Sequence, residues 1–180
     1  MIGMKPLETP RLQLGRLTPE DAPALLKIQN TDFVLRYNGM DAWDEAQMRG
    51  WIEKKGERQF ALRKKTDGAL IGVVGLDEDS LRYETGSVEI NYYLAEEAAN
   101  QGYMTEALTA ILAYLFTACG VSLVAARSFA PNTASRRLLL RLGFREEGLL
   151  RRAVKGYGGV IYDDALYSIT KEEFETNAHA

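Results

Sequence analysis

Val88-Glu89-Ile90-Asn91-Tyr92-Tyr93-Leu94 runs through Ala95–Gln101 into Gly102-Tyr103-Met104-Thr105-Glu106-Ala107, and this stretch decides the fold. It reads as strand, polar turn, helix. Val88, Ile90, Tyr92 and Leu94 fall on one face of an extended segment, and Glu89, Asn91 and Tyr93 on the other. Past the turn the apolar period becomes helical, through Tyr103, Ala107, Ala110, Ile111, Tyr114 and Ala118. A turn that empties into a helix start presents unpaired backbone N–H groups, and the helix dipole adds partial positive charge there. Together they suit a phosphate.

The flanking sequence supplies a sheet for this unit. Upstream, Arg11–Leu17 alternates as a first strand, and Thr18-Pro19-Glu20-Asp21 opens a helix with Leu25, Leu26 and Ile28 on its buried side. Residues 30–42 lack periodicity and read as loop. Trp43-Asp44-Glu45 opens a second helix to about Lys55, striped by Met48, Trp51 and Ile52. Phe60–Leu62 and Leu70–Leu76 form strands around a Thr66-Asp67-Gly68 turn, and Asp77–Gly86 is an acidic loop. Downstream, Gly120 ends the long helix and Val121–Phe129 is a strand stopped by Pro131. Asn132 caps a helix with Ser135, Leu138, Leu139 and Leu142 on one face. Gly143 ends it and Phe144 anchors the chain. Gly156-Tyr157-Gly158-Gly159 is a tight turn into a last strand, Val160–Thr170. The order predicts one α+β domain over residues 1–180, with a mixed, mostly antiparallel sheet, a core over about 7–170 and a disordered tail over 175–180.

Composition narrows the function. A chain of 180 residues with a net charge of -3 lacks the basic surface that nucleic-acid binding needs. No apolar run is long enough to span a bilayer and no signal peptide is visible, so a cytoplasmic location is expected, with no membrane partner. Cys119 is the single cysteine and reads as a small core residue. His179 is the single histidine and lies in the tail, which sets aside a histidine triad or a multi-histidine metal site; no metal is expected.

Four pieces in order resemble the GNAT superfamily of N-acetyltransferases, most closely its Rim-type branch of ribosomal-protein N-terminal acetyltransferases. They are Glu89-Ile90-Asn91-Tyr92-Tyr93-Leu94, Gly102-Tyr103-Met104-Thr105-Glu106-Ala107, Asn132-Thr133-Ala134-Ser135 and Leu142-Gly143-Phe144; Asp163 fits the branch too. The likeness covers Leu7 to about Thr170. It implies acetyl-coenzyme A as donor, a primary amine as acceptor (a protein N-terminus or a small molecule) and a possible homodimer. It also implies a splay between strands 88–94 and 121–129, whose open edge at Tyr92, Tyr93 and Leu94 receives the pantetheine amides. The diphosphate would lie on Ala99, Asn100, Gln101, Gly102, Tyr103, Met104 and Thr105, with Asn132 and Ser135 holding the arm.

The chain departs from the family pattern. Ala99 and Met104 stand where the superfamily has Gln or Arg and Gly or Ala, and Asn91 and Asn100 stand where the branch often has Gly. Asparagine tolerates positive φ, so both are expected in left-handed or bulged backbone, with a bulge at Asn91 helping to open the edge. Met104 leaves the cradle intact if it points into the core. Many members carry a tyrosine acid where this chain has Leu139.

For the chemistry, Glu89 is the base candidate, set against a solvated or ion-paired strand residue. Ser135, in a first helical turn, is the candidate for the leaving thiolate, set against a serine that satisfies a backbone amide. Asp163 and Asp164 point to opposite faces of a strand and read as a solvated pair beside a turn. Of the late basic residues, one meets the adenosine 3′-phosphate or an acidic acceptor and the rest form a solvated face. The alternative function is a coenzyme A-binding sensor or partner-binding module with little catalysis.

Overall fold

The computed structural model describes residues 4–177. In chain order its elements are β1 (Leu7–Glu8), β2 (Leu12–Arg16), α1 (Ala22–Gln29), α2 (Asp32–Leu35), α3 (Glu45–Lys55), β3 (Gln59–Lys64) and β4 (Leu70–Glu78). Then follow β5 (Ser87–Leu94), α4 (Tyr103–Ala118), β6 (Leu123–Phe129), α5 (Thr133–Arg141), β7 (Arg145–Lys155), β8 (Ile161–Thr170) and α6 (Lys171–Asn177). The strands form one eight-stranded open sheet in the order β1-β2-β3-β4-β5-β6-β8-β7. Only β5 and β6 pair in parallel, because α4 is the crossover between them.

Alternation along the strands divides the hydrophobic residues between two faces. Leu12, Leu14, Phe60, Leu62, Val74, Val88 and Ile90 pack under α4, whose Ala107, Leu108, Ile111, Leu112 and Leu115 are all fully buried. Burying each leucine of that helix contributes about 1.5–3 kcal/mol, which makes α4 the main prop of the sheet. Ala61 and Val73 point the other way, into a smaller cluster with Leu25 of α1 and Met48 and Ile52 of α3.

The β5–β6 pairing stops halfway. Cα partners run from Ser87↔Leu123 to Ile90↔Ala126 and no further. Beyond that point β5 stays with β4 as far as Leu94↔Gly72, while β6 stays with β8 as far as Phe129↔Asp164. Each strand follows the twist of its other neighbour, so Asn91–Leu94 and Arg127–Phe129 part. The expected splay is therefore present, but its expected cause is not. Asn91 pairs in unbroken register with Gly75 and has no positive φ. Its side chain is held by the neighbouring strand, with Nδ2 donating to Asp77 Oδ2 at 2.7 Å, and needs no bulge. Asn100, by contrast, adopts the left-handed conformation, with φ 58°.

Three further expectations are corrected. Within the predicted loop 30–42, Asp32–Leu35 is a helical turn: the Thr31 hydroxyl accepts from the Val34 N–H at 3.4 Å, and so short a turn shows no period. Residues 175–177, placed in a disordered tail, end α6, where Phe174 packs on Phe116 with ring centroids 5.3 Å apart. The rest of that tail, with His179, lies outside the described residues. Asp163 and Asp164 are not a solvated pair. Asp163 Oδ1 accepts from the Arg152 N–H at 2.7 Å and pins a β7 bulge where Arg152 has φ 51°, while Asp164 is 2% exposed.

Candidate active site

The splay opens into a cleft of about 930 Å³ that reaches both layers of the molecule. Its wall includes Glu89, Tyr92, Tyr93, Leu94, Ala99, Asn100, Gly102, Tyr103, Met104, Thr105, Asn132 and Ser135. Residues up to 46 positions apart, from Glu89 to Ser135, thus meet in one space. Gln101 is the exception among the expected donor-site residues. Its side chain turns back to the Glu97 carbonyl at 2.6 Å, leaving only its backbone for the site.

At one end lies the α4 start. Gly102 caps it in left-handed geometry, φ 79° and ψ 2°, two residues after left-handed Asn100. The Ala99 N–H is spent on the Glu96 carbonyl, and the first helical bond runs from the Glu106 N–H to the Gly102 carbonyl. The N–H groups from Asn100 to Thr105 lie between these bonds and find no acceptor among the described residues. Two left-handed residues along a run of free amides make a concavity of donors. Met104 points its side chain into the core, 7% exposed, so the concavity is not filled.

Arg11 joins this end, and no local motif announces it. Its Nε pairs with Glu106 Oε2 at 2.6 Å, its Nη1 donates to the Gln101 carbonyl at 2.9 Å, and its guanidinium lies 4.3 Å from the Tyr103 ring centroid. A Cβ at Gly102 would sit 3.3 Å from Arg11 Nη2. Burial alone would raise the Glu106 pKa, but hydrogen bonds from Thr9 and Arg11 hold it below the ordinary value. Glu106 is thereby kept ionised and tied to Arg11. Of the late basic residues, Arg141 lines the cleft, whereas Arg136 is spent on Tyr167, Glu146 and the Ala130 carbonyl, and Arg145 on Glu173.

At the middle of the cleft, Asn132 Oδ1 caps α5 by accepting the Ser135 N–H at 3.2 Å. The Ser135 hydroxyl is then free of the cap and meets the Tyr92 hydroxyl at 2.8 Å across the splay. Burial pushes the Tyr92 phenol up to about 12, eased by the Ser135 hydrogen bond and reinforced by Tyr167. Leu139, where the family's tyrosine acid would stand, is fully buried.

Glu89 sits on the other face of β5, opposite Asp77 and beside Ala125. Its carboxylate takes no hydrogen bond or ion pair from a described residue, which sets aside the ion-pair reading. Burial raises its pKa above the ordinary glutamate value; Arg127 opposes this, and Asp79, Asp77 and Asp164 add to it. Arg127 is instead paired with Asp164 Oδ2, from both Nε and Nη2 at 2.6 Å.

Residues 11–145 match the family model described as an acetyltransferase (GNAT) domain. The uncharacterized N-acetyltransferase YoaA of Bacillus subtilis is 33% identical over 174 residues, covering 92% of this chain and 96% of that one. The uncharacterized N-acetyltransferase p20 of Bacillus licheniformis is 30% identical, over 95% and 99% of the two chains. A GNAT-family acetyltransferase structure from Bacillus anthracis superposes with a TM-score of 0.84 over 93% of this chain and 99% of that one, at 22% identity. Mycobacterium smegmatis RimJ, solved in complex with CoA-disulfide, superposes with a TM-score of 0.77 at 26% identity, over 94% and 87%. Motif order, the interrupted parallel pairing and these matches agree: the chain belongs to the GNAT family of acetyltransferases, with the Rim-type likeness read from its motifs.

Proposed function

We propose that this protein is a cytoplasmic N-acetyltransferase that moves the acetyl group of acetyl-coenzyme A to a primary amine by direct attack in a ternary complex. The observation that carries this reading is the alignment, in one cleft, of the free amides of Asn100–Thr105, the open β5 edge and the unpaired Glu89 carboxylate. A diphosphate needs convergent donors and these amides supply them without a metal. The thioester supplies an activated carbonyl carbon and a thiolate leaving group.

The chain's own groups do the rest. Main-chain groups of Tyr92–Leu94, which β6 leaves unpaired, bond the amides of the pantetheine arm. Glu89 takes the proton that the attacking nitrogen sheds as its C–N bond to the acetyl carbon forms. The Ser135 hydroxyl, with the Tyr92 hydroxyl donating to its Oγ, donates a hydrogen bond to sulfur as the C–S bond breaks, and the α5 dipole helps to stabilise the departing thiolate. Arg11, tied to Glu106 and Gln101, puts a positive charge beside the diphosphate in place of the family's residue at Ala99.

The test follows free thiol while the protein is incubated with acetyl-coenzyme A and a broad panel of amines. Thiol release matched by acetylated amine is expected. Tight coenzyme A binding with no turnover on any amine overturns the enzymatic reading in favour of a binding module. Ser135→Ala is expected to lower kcat by up to about 10²-fold with little change in coenzyme A affinity; an unchanged kcat returns Ser135 to a helix-start role. Arg11→Ala is expected to weaken coenzyme A binding about three- to tenfold, and less so at high salt. Titration calorimetry at two ionic strengths checks it.

A further inference from the structure

The strands that part to open the cleft carry a line of charge on one face. Glu89 on β5 is in register with Ala125 on β6, so the next β6 residue on that face is Arg127, the first beyond the parallel pairing. On β8, Leu166 stands opposite Arg127, and Asp164, two residues along, shares the face. The order across the splay is therefore Glu89, Arg127, Asp164, one cation between two carboxylates.

Arg127 does not divide itself between them. Its Nε and Nη2 both meet Asp164 Oδ2 at 2.6 Å, and none of its nitrogens bonds Glu89. The bias has a physical reason. Asp164 is 2% exposed, its Oδ1 has no hydrogen-bond partner, and Arg127 is its ion-pair partner. Taking the guanidinium away would leave a lone buried charge, which is costly. Glu89 is only half-buried and opens onto the cleft, so its claim on Arg127 is weaker. The other charges around Glu89 are mostly acidic. Asp77 stands opposite it on β4, and Asp79 and the β7 residue Glu147 are both held by Arg82. Arg36, Lys55 and Tyr93 line the same cleft. Burial raises the Glu89 pKa, Arg127 opposes this, and Asp79, Asp77 and Asp164 reinforce it.

We propose that Arg127 and Asp164 are a positioning pair for Glu89: Arg127 supplies the positive charge that keeps the half-buried carboxylate ionised, and Asp164 holds the guanidinium so that it does not close onto Glu89. A base in this site needs both halves. Without a cation, a carboxylate among acids holds its proton and cannot take another. With a cation bonded to it, the same carboxylate has spent the oxygens that an amine must reach. The assignment rests on the reading of Glu89 as base, and the experiment separates the two.

The two partners should act in opposite directions, which a merely structural role would not produce. The Glu89 carboxyl is followed by NMR across pH in carboxyl-labelled protein, its signal identified by its loss in Glu89→Gln. Arg127→Gln is expected to move the midpoint up, and kcat/KM at a pH on the acid limb should fall at least about threefold. Arg127→Lys, which keeps the charge, should restore most of that loss. Asp164→Asn is expected to move the midpoint down, while kcat/KM on the plateau falls about three- to tenfold as the freed guanidinium turns to Glu89. Should Arg127→Gln fail to fold with Asp164 left unpaired, Asp164→Asn and the double variant Arg127→Gln/Asp164→Asn are compared. Neither buries a lone carboxylate at residue 164, and the double variant should have the higher midpoint and the higher plateau. Midpoints that stay put, or that move the same way in both single variants, overturn the proposal. The activity of Glu89→Gln decides separately whether Glu89 is the base.

Discussion

Glu89→Gln is expected to lower kcat by about 10²- to 10⁴-fold, the range lost when a general base is removed. The side chain keeps its shape, so coenzyme A binding is expected to persist. Because burial raises the Glu89 pKa, kcat/KM should fall as pH drops through that raised value, above the ordinary glutamate range. The same shift predicts a stability signature. Between the ordinary value and the raised one, the folded chain holds a proton that the unfolded chain has released, so stability is lost as pH rises through the folded pKa. At neutral pH the buried charge is a burden that glutamine removes. The variant should therefore melt no lower than the wild type at neutral pH, and the difference between them should vanish in acid. Thermal melts across pH, run beside the kinetics, check both halves. A variant with full activity removes Glu89 as base, and one that loses activity together with stability marks it as structural.

Gly102→Val is expected to raise the Kd for coenzyme A at least about 100-fold, the equivalent of two charge-assisted hydrogen bonds. Gly102 has φ 79°, where a side chain costs about 1–2 kcal/mol and a β-branched one is a genuine outlier. Its new Cβ would also press on Arg11 Nη2. The chain can relieve the strain only by rotating residue 102 out of the left-handed region. That rotation turns the amides of Asn100–Thr105 away from a common point. Gly102→Ala meets the same conformational limit with less bulk and should fall between. Calorimetry with coenzyme A measures the series; an unchanged Kd for the valine variant would remove the amide cradle from the donor site.

Much of the donor end was legible in the order of residues. A strand alternation giving way to a helical period across Ala95–Gly102 places free amides at a helix start, whatever surrounds them. Asn100 reads correctly as left-handed because its conformation answers to its immediate neighbours. Asn91, the same residue type, does not, because its amide is engaged by Asp77 on the adjacent strand. Met104 could be read either way until the packing of α4 drew it inward. The helical turn at Asp32–Leu35 was missed because one turn is shorter than the period that reveals a helix.

What a few neighbouring residues settle among themselves, namely dihedral preference, capping and the free N–H groups of a helix start, is carried along the chain and needs no fold to be read. The partings and pairings of the cleft are another matter. The splay arises because β4 and β8 hold β5 and β6 apart, Arg11 meets Glu106 across the domain, Tyr92 meets Ser135 across the opening, and Arg127 claims one oxygen of Asp164 and leaves the other bare. Each depends on strand register and burial summed over dozens of intervening residues, and a side chain's partner is chosen by that geometry rather than by its position in the sequence.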